Sequence, residues 1–149
     1  TFEVLHINVI KTGSHSIYDA IGRWANANDF FTPFYCCIFF LNSSTPLLHG
    51  EAIAVGMIAE GFLSFEKIGF SFEELNELSS KLLQIFGKVA LNTSDLDAIL
   101  DLCAQDKKNE GNTQLFSLLP SLGDCSFNIP VTREEIKHAI LYYQQLPLS

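Results

Sequence analysis

Residues 48–57 read Leu-His-Gly-Glu-Ala-Ile-Ala-Val-Gly-Met, and this stretch decides how the chain is interpreted. It places an imidazole and a carboxylate two residues apart, at the start of a segment that is otherwise almost wholly apolar. Because the apolar residues surround the segment instead of forming one stripe, they predict a central buried helix over 47–67. Gly69 is the expected C-terminal cap of this helix. Metal-ligand or acid–base groups on a rigid buried element are typical of a functional site.

Two further helices follow the first. Ser71, with Glu74 three residues later, predicts a capping box at the start of a second helix. Leucine and isoleucine residues then recur at helical spacing until Gly87, which is expected to end that helix. A third helix is predicted to start near Ser94.

The C-terminal third of the chain predicts a hairpin and a last helix. Residues 114–119 and 125–129 are short strand candidates, joined across a Pro-Ser-Leu-Gly turn. Thr132 and Glu135 form a second capping box, which predicts where the last helix begins. We therefore expect a mainly α domain with a small β-hairpin.

Composition limits the classes of partner. The 149 residues suffice for one domain with its own core, and the apolar stretch near 30–41 is too short to span a bilayer. A net charge of −8 disfavours nucleic acids and anionic membranes as partners. An anionic substrate would therefore need a local basic cluster, which only Lys107-Lys108 offers. The four cysteines include no Cys-x-x-Cys pair, which indicates reduced thiols in a cytoplasmic protein.

The stretch at 48–57 resembles the second metal-ligand motif of the 3-dehydroquinate synthases, shikimate-pathway sugar-phosphate cyclases that use NAD and zinc. The resemblance continues through Asp-Lys-Lys-Asn-Glu-Gly-Asn at 106–112 and Phe-Ser-Leu-Leu at 116–119. It implies that residues 41–149 form the helical C-terminal domain of that family. Residues 1–40 match poorly and are interpreted as a degenerate or mis-joined region of the metal motif.

The resemblance implies a zinc site. In the resemblance, His49 takes the position of one zinc ligand and Glu51 supports the metal shell. The spacing of the two residues alone favours a simpler interpretation, in which Glu51 only complements the dipole of the helix. His15 corresponds to the family's other zinc-ligating histidine, and Asp19 stands where the family has a histidine that takes part in catalysis. Two interpretations of His15 stay open, a degenerate motif and a chance match in unrelated sequence.

The loop after the third helix resembles the family's substrate loop. The resemblance implies that Lys107 or Lys108 binds the anionic substrate, a task that suits a mobile ammonium group. On their own, two adjacent lysines in a polar loop are more often solvated charge. His138, beside Lys137 on the predicted last helix, has no supporting motif and is expected to be a surface residue.

The family's reaction is an NAD- and zinc-dependent cyclisation with phosphate elimination, a lyase step of aromatic amino acid biosynthesis. The chain shows no Gly-rich dinucleotide turn and no counterpart of the family's third zinc ligand. We therefore expect NAD to be bound mainly by a domain outside this chain, and the chain alone to be inactive. The alternatives are a non-catalytic helical interaction module and another sugar-phosphate cyclase, and the expected partner is a second copy or the missing N-terminal domain.

Overall fold

The computed structural model describes residues 49–104 and 113–147, except Gly123 and Cys125. Within these ranges the chain forms four helices and one two-stranded antiparallel sheet, which confirms the predicted mainly α domain with a small hairpin. The elements are α1 (His49–Ile68), α2 (Phe72–Phe86), α3 (Thr93–Ala104), β1 (Thr113–Leu118), β2 (Ser126–Thr132) and α4 (Arg133–Gln145).

Helix α1 is the central element, as its sequence predicts. Its residues 52–61 are all buried, and it packs against α2, α4 and β1. A Cβ atom at Gly61 would lie 2.9 Å from Leu78 Cδ2, so glycine allows α1 and α2 to approach closely at this point. Gly69 follows the helix with a φ of 82°, the left-handed conformation expected of a C-terminal cap. No helix of the described ranges is both long and apolar enough to cross a bilayer.

The start of α2 differs in part from the predicted capping box. Ser71 caps the helix, and its hydroxyl accepts a hydrogen bond of 3.1 Å from the amide of Glu74. The Glu74 carboxylate, however, accepts a 3.2 Å bond from the amide of Leu122, in the turn of the hairpin. Glu74 therefore ties α2 to a distant turn, a contact that a local capping pattern does not reveal.

The hairpin is longer than the sequence predicts. Strand β2 continues beyond Ile129 to Thr132, because it pairs with β1 in an antiparallel register that reaches Thr113. The register is irregular between Phe116 and Leu118, and Asn128 on the opposite strand has a φ of 56°. Phe116 and Leu118 are buried against the helices, so the hairpin closes one side of the core.

The predicted capping box of α4 is complete. Thr132 Oγ1 accepts a 3.3 Å bond from the Glu135 amide, and Glu135 Oε2 accepts a 2.8 Å bond from the Thr132 amide. The other carboxylate oxygen, Oε1, lies 2.7 Å from Lys67 Nζ. The last turn of α1 is thereby fixed to the first turn of α4.

A buried serine joins α1 to the hairpin. Ser64 Oγ donates to the Glu60 carbonyl at 2.7 Å and accepts from the Leu119 amide at 2.9 Å. Ser64 is fully buried, so both bonds are shielded from water. They fix the residue that follows β1 against the C-terminal part of α1.

Candidate active-site end of helix α1

The first turn of α1 carries the two residues singled out by the sequence. His49 begins the helix, although its side chain lies outside the described part, and Glu51 is half-buried in the same turn. At 3.6 residues per turn, positions 49 and 51 are separated by about 200° around the helix axis. The two positions therefore lie on nearly opposite sides of the helix. This argues against joint chelation of one ion by His49 and Glu51, and the supporting role of Glu51 in the metal shell stays a prediction.

Glu51 lies within electrostatic range of a buried tyrosine on α4. Tyr143 is only 1% exposed, and its hydroxyl oxygen accepts a 2.8 Å bond from the amide of Val89. Burial raises the pKa of Tyr143, the charge of Glu51 raises it further, and the bond from Val89 opposes the increase. The first turn of α1 and the end of α4 therefore form one electrostatic environment.

The segment between α2 and α3 holds this end of α4 in place. Lys88 Nζ donates to the carbonyl oxygen of Gln144 at 2.6 Å and also to that of Leu146. In return, Gln144 Nε2 donates to the Leu91 carbonyl at 2.8 Å. A lysine at the end of a helix satisfies carbonyl groups that have no partner within the helix. Residues 88–91 thus act as a strap, a name used below for this segment.

The described residues do not make up a metal site by themselves. Among the described side chains, which do not include those of His49 and Cys125, no group of three or more His, Cys, Asp or Glu could hold a metal ion. His15 and Asp19 lie outside the described residues. The side chains of His49 and His15 both lie outside the described part of the chain, so the two histidines remain predictions as zinc ligands.

Some of the remaining candidate residues lie within the described part of the chain, and others lie outside it. Lys107 and Lys108 lie outside the described residues, so their role in substrate binding stays a prediction. His138 is exposed on α4, as expected of a surface residue, and Cys103 is buried and forms no disulfide. Sequence reasoning missed Tyr143 as a neighbour of Glu51, because helical spacing indicates only that it is buried.

Comparisons with known proteins bear on this end of α1. Residues 41–109 match the family model of the 3-dehydroquinate synthase C-terminal domain, a range that includes all of α1. The 3-dehydroquinate synthase of Parabacteroides distasonis is 34% identical over 100 residues, which cover 67% of this chain and 28% of that enzyme. The chain carries a C-terminal domain of the 3-dehydroquinate synthase family.

Other relatives agree with this domain. The 3-dehydroquinate synthase of Streptococcus pneumoniae is 34% identical over 92 residues, which cover 61% of this chain and 25% of that enzyme. The chain thus spans between 25% and 28% of the length of these two relatives.

A solved structure shares the fold. It is a 2-deoxy-scyllo-inosose synthase complexed with carbaglucose-6-phosphate, NAD+ and Co2+. It superimposes with a TM-score of 0.62 at 23% identity, over 72% of this chain and 32% of that one. This likeness shows that the helices and the hairpin share the fold of the matched part of that synthase.

Proposed function

We propose that this chain is the substrate- and metal-binding C-terminal portion of a 3-dehydroquinate synthase-like lyase of the shikimate pathway. The observation that carries the proposal is the position of the His-Gly-Glu sequence. It opens the central helix of the domain, and the whole of that helix lies within the range that matches the family model. An active site needs its chemical groups on such a rigid element.

The metal ligands proposed in this chain are His49 and His15, with zinc or another divalent ion as the cofactor. A bound zinc ion would act as a Lewis acid toward substrate oxygens. Glu51, turned away from position 49 and half-buried beside α4, would support the local charge balance of the metal shell. Support for a divalent ion comes from the Co2+ in the related 2-deoxy-scyllo-inosose synthase.

The proposed substrate is an anionic sugar phosphate. Lys107 or Lys108 would bind its phosphate or carboxylate, since a lysine is a mobile point charge that suits such groups. The sugar-phosphate analogue and NAD+ in the related synthase support the same classes of ligand here. NAD would be bound mainly by a domain that corresponds to the part of the relatives that this chain does not span. The complete enzyme would be cytoplasmic and would form a homodimer.

A chimera tests this proposal. Residues 41–149 would replace the corresponding part of the Parabacteroides distasonis enzyme, and phosphate release would be measured with the seven-carbon keto sugar acid phosphate, NAD and zinc. We expect the chimera to release phosphate steadily, and the present chain alone to release none. His49→Ala should abolish the activity of the chimera, and either Lys107→Ala or Lys108→Ala should reduce it strongly.

Three results bear against the proposal in different ways. A folded chimera without phosphate release would mean that the domain keeps the scaffold and has lost the chemistry. Full activity in both lysine variants would remove the proposed substrate loop. Steady phosphate release by the unmodified chain would contradict the view that it is only a portion of the enzyme.

A further inference from the structure

Four aromatic rings in contact with one another extend across the surface from α4 through α1 to α2. The ring of Phe62 stacks on that of Tyr142, with 4.5 Å between the centroids and 14° between the planes. The ring of Phe65 lies 6.3 Å from Phe62 and 5.7 Å from Phe72. Phe72 is 55% exposed, Phe65 is 38% exposed, and the other two residues are half-buried. These four residues form the aromatic row. A single exposed ring is ordinary, whereas a contiguous exposed group marks an interaction surface.

Exposed carboxylates lie beside the aromatic row. Glu66 follows Phe62 by four residues, which places both on one face of α1, and it is exposed. Glu73, next to Phe72 in the first turn of α2, is exposed as well. Neither carboxylate forms an ion pair within the described residues, and Lys67, which follows Glu66, is already paired with a glutamate of α4. A cation at the aromatic row would therefore meet both aromatic rings and negative charge.

A guanidinium group suits this combination. It stacks on aromatic rings, is attracted to their π faces and pairs with carboxylates. In an extended segment, side chains two residues apart point to the same side and are separated by about 6.6 Å. The distances from the Phe65 ring to its two neighbours, 6.3 and 5.7 Å, are close to this repeat. Arginines at alternate positions of an extended segment can therefore contact successive rings.

A second copy of the chain suits the aromatic row less well. Two such rows packed face to face would bring Glu66 and Glu73 of both copies together, and like charges across an interface destabilise it. The net charge of −8 adds to this repulsion, and it favours the approach of a basic partner. Charge complementarity therefore favours a basic partner over self-association.

We propose that the aromatic row binds an extended basic segment of a partner protein, with arginine at alternate positions. The guanidinium groups would stack on Phe65 and Phe72 and pair with Glu66 and Glu73. The aromatic row lies near the C-terminal end of α1, away from His49 at its start, so this proposal does not depend on the proposed function.

Fluorescence anisotropy of labelled peptides tests the proposal on the unmodified chain. The probe is an end-blocked Arg-Ser-Arg-Ser-Arg peptide, and a Gln-Ser-Gln-Ser-Gln peptide has the same spacing without charge. We expect saturable binding of the arginine peptide that weakens at high salt, and binding of the glutamine peptide that is weaker by about tenfold or more. Equal binding of the two peptides would overturn the proposal. Dimers of the unmodified chain that Phe72→Ala abolishes would overturn it too, because a second copy would then cover the aromatic row.

Matched variants separate the aromatic row from general attraction to an acidic chain. Phe72→Ala should weaken binding of the arginine peptide by about fivefold, through the loss of one cation–π contact. Glu66→Gln should weaken it by about threefold, as expected of one exposed ion pair. Phe127→Ala, at an exposed ring of β2, and Asp97→Asn, at an exposed carboxylate of α3, should leave the affinity unchanged. Binding that does not saturate, or equal losses in these controls and in the variants of the aromatic row, would overturn the proposal.

Discussion

The two ends of α1 are held in different ways. At its C-terminal end, Ser64 bonds to the backbone of the hairpin and Lys67 pairs with Glu135, both through direct contacts within the described domain. At its N-terminal end, Glu51 acts on Tyr143 through its charge, and Tyr143 depends in turn on the strap at 88–91. The C-terminal end is therefore anchored by direct side-chain contacts, whereas the N-terminal end carries the His49 position and the Glu51 carboxylate.

We expect this difference to separate residues that stabilise the domain from residues proposed for its function. The anchored end has a buried hydrogen bond and an ion pair, which add to the burial of apolar surface that dominates the free energy of folding. The N-terminal end carries the His49 position and the half-buried Glu51, the two residues of α1 proposed for the metal site. Substitutions at the anchored end should therefore change stability most, and those at the N-terminal end should act mainly on charge and ligands.

The largest expected effect is at Gly61, in the anchored half of α1. Gly61→Val should destabilise the domain by about 3 kcal/mol, because its side chain would press into Leu75 and Leu78 of α2. Gly61→Ala is the matched control. Its single methyl group meets only flexible leucine ends, and the gain of about 1 kcal/mol in helix propensity offsets the crowding. Urea denaturation of both variants measures the difference, and equal stabilities would contradict the close packing of α1 and α2.

A second comparison uses two buried serines. Ser64→Ala should cost about 2 kcal/mol, because it leaves the buried amide of Leu119 without its acceptor. Ser79→Ala removes a buried hydroxyl that has no hydrogen-bond partner in the described residues, so it should not lower the free energy of unfolding and should raise it by up to about 1 kcal/mol. Similar losses in the two variants, again by urea denaturation, would show that Ser64 does not anchor α1 in the way described.

Adjacent tyrosines sharpen the account of the N-terminal end. Tyr143→Phe should cost about 1 kcal/mol, because the amide of Val89 loses its acceptor. Tyr142→Phe is the control, since the Tyr142 hydroxyl has no hydrogen-bond partner within the described part of the chain.

Glu51→Gln should lower the pKa of Tyr143, measured by NMR of its phenol carbon, because it removes a negative charge that raises this pKa. An unchanged pKa would place Glu51 outside the environment of Tyr143.

The smallest expected effect is the change in stability at low pH that comes from Glu135. Burial raises the pKa of Glu135, but hydrogen bonds from Lys67 and Thr132 and the charge of Lys67 outweigh it, and the pKa lies below its usual value of 4.5. Because the pKa of Glu135 is lower in the folded chain than in the unfolded chain, its ionised form stabilises the fold at pH values above the unfolded-state pKa. That stability is lost as the pH falls below about 4.5. Thermal denaturation should show that the contribution of Glu135 to the free energy of unfolding falls by less than about 1 kcal/mol between pH 7 and pH 3. Glu135→Gln should remove that part of the pH dependence, and an unchanged acid profile would contradict the role of the ion pair.

Local signals predicted most of the helices and the hairpin. The Thr132–Glu135 capping box and the glycines at 69 and 87 mark boundaries through interactions only a few residues apart, which a sequence displays directly. The bond from Leu122 to Glu74 and the extension of β2 depend on residues that are distant in sequence. No local pattern could reveal them.

The candidate site was only partly predictable. His49 and Glu51 stand out because polar groups interrupt an apolar helix, but their roles come from resemblance and not from periodicity. Tyr143 could be predicted as a buried residue, whereas its bond to Val89 and its proximity to Glu51 require the packing of α4 against α1. His15, Lys107 and Lys108 remain predictions, since they lie outside the described residues.

The central claim is that the first turn of α1 carries the chemistry of the domain. Zinc titration by calorimetry is the most direct test of this claim. The unmodified chain would be compared with His49→Ala, His15→Ala and His138→Ala, the last being a control at an exposed histidine of α4. We predict one-to-one binding that is lost in the first two variants and retained in His138→Ala. Binding that survives His49→Ala, or no binding by the unmodified chain, would contradict the claim.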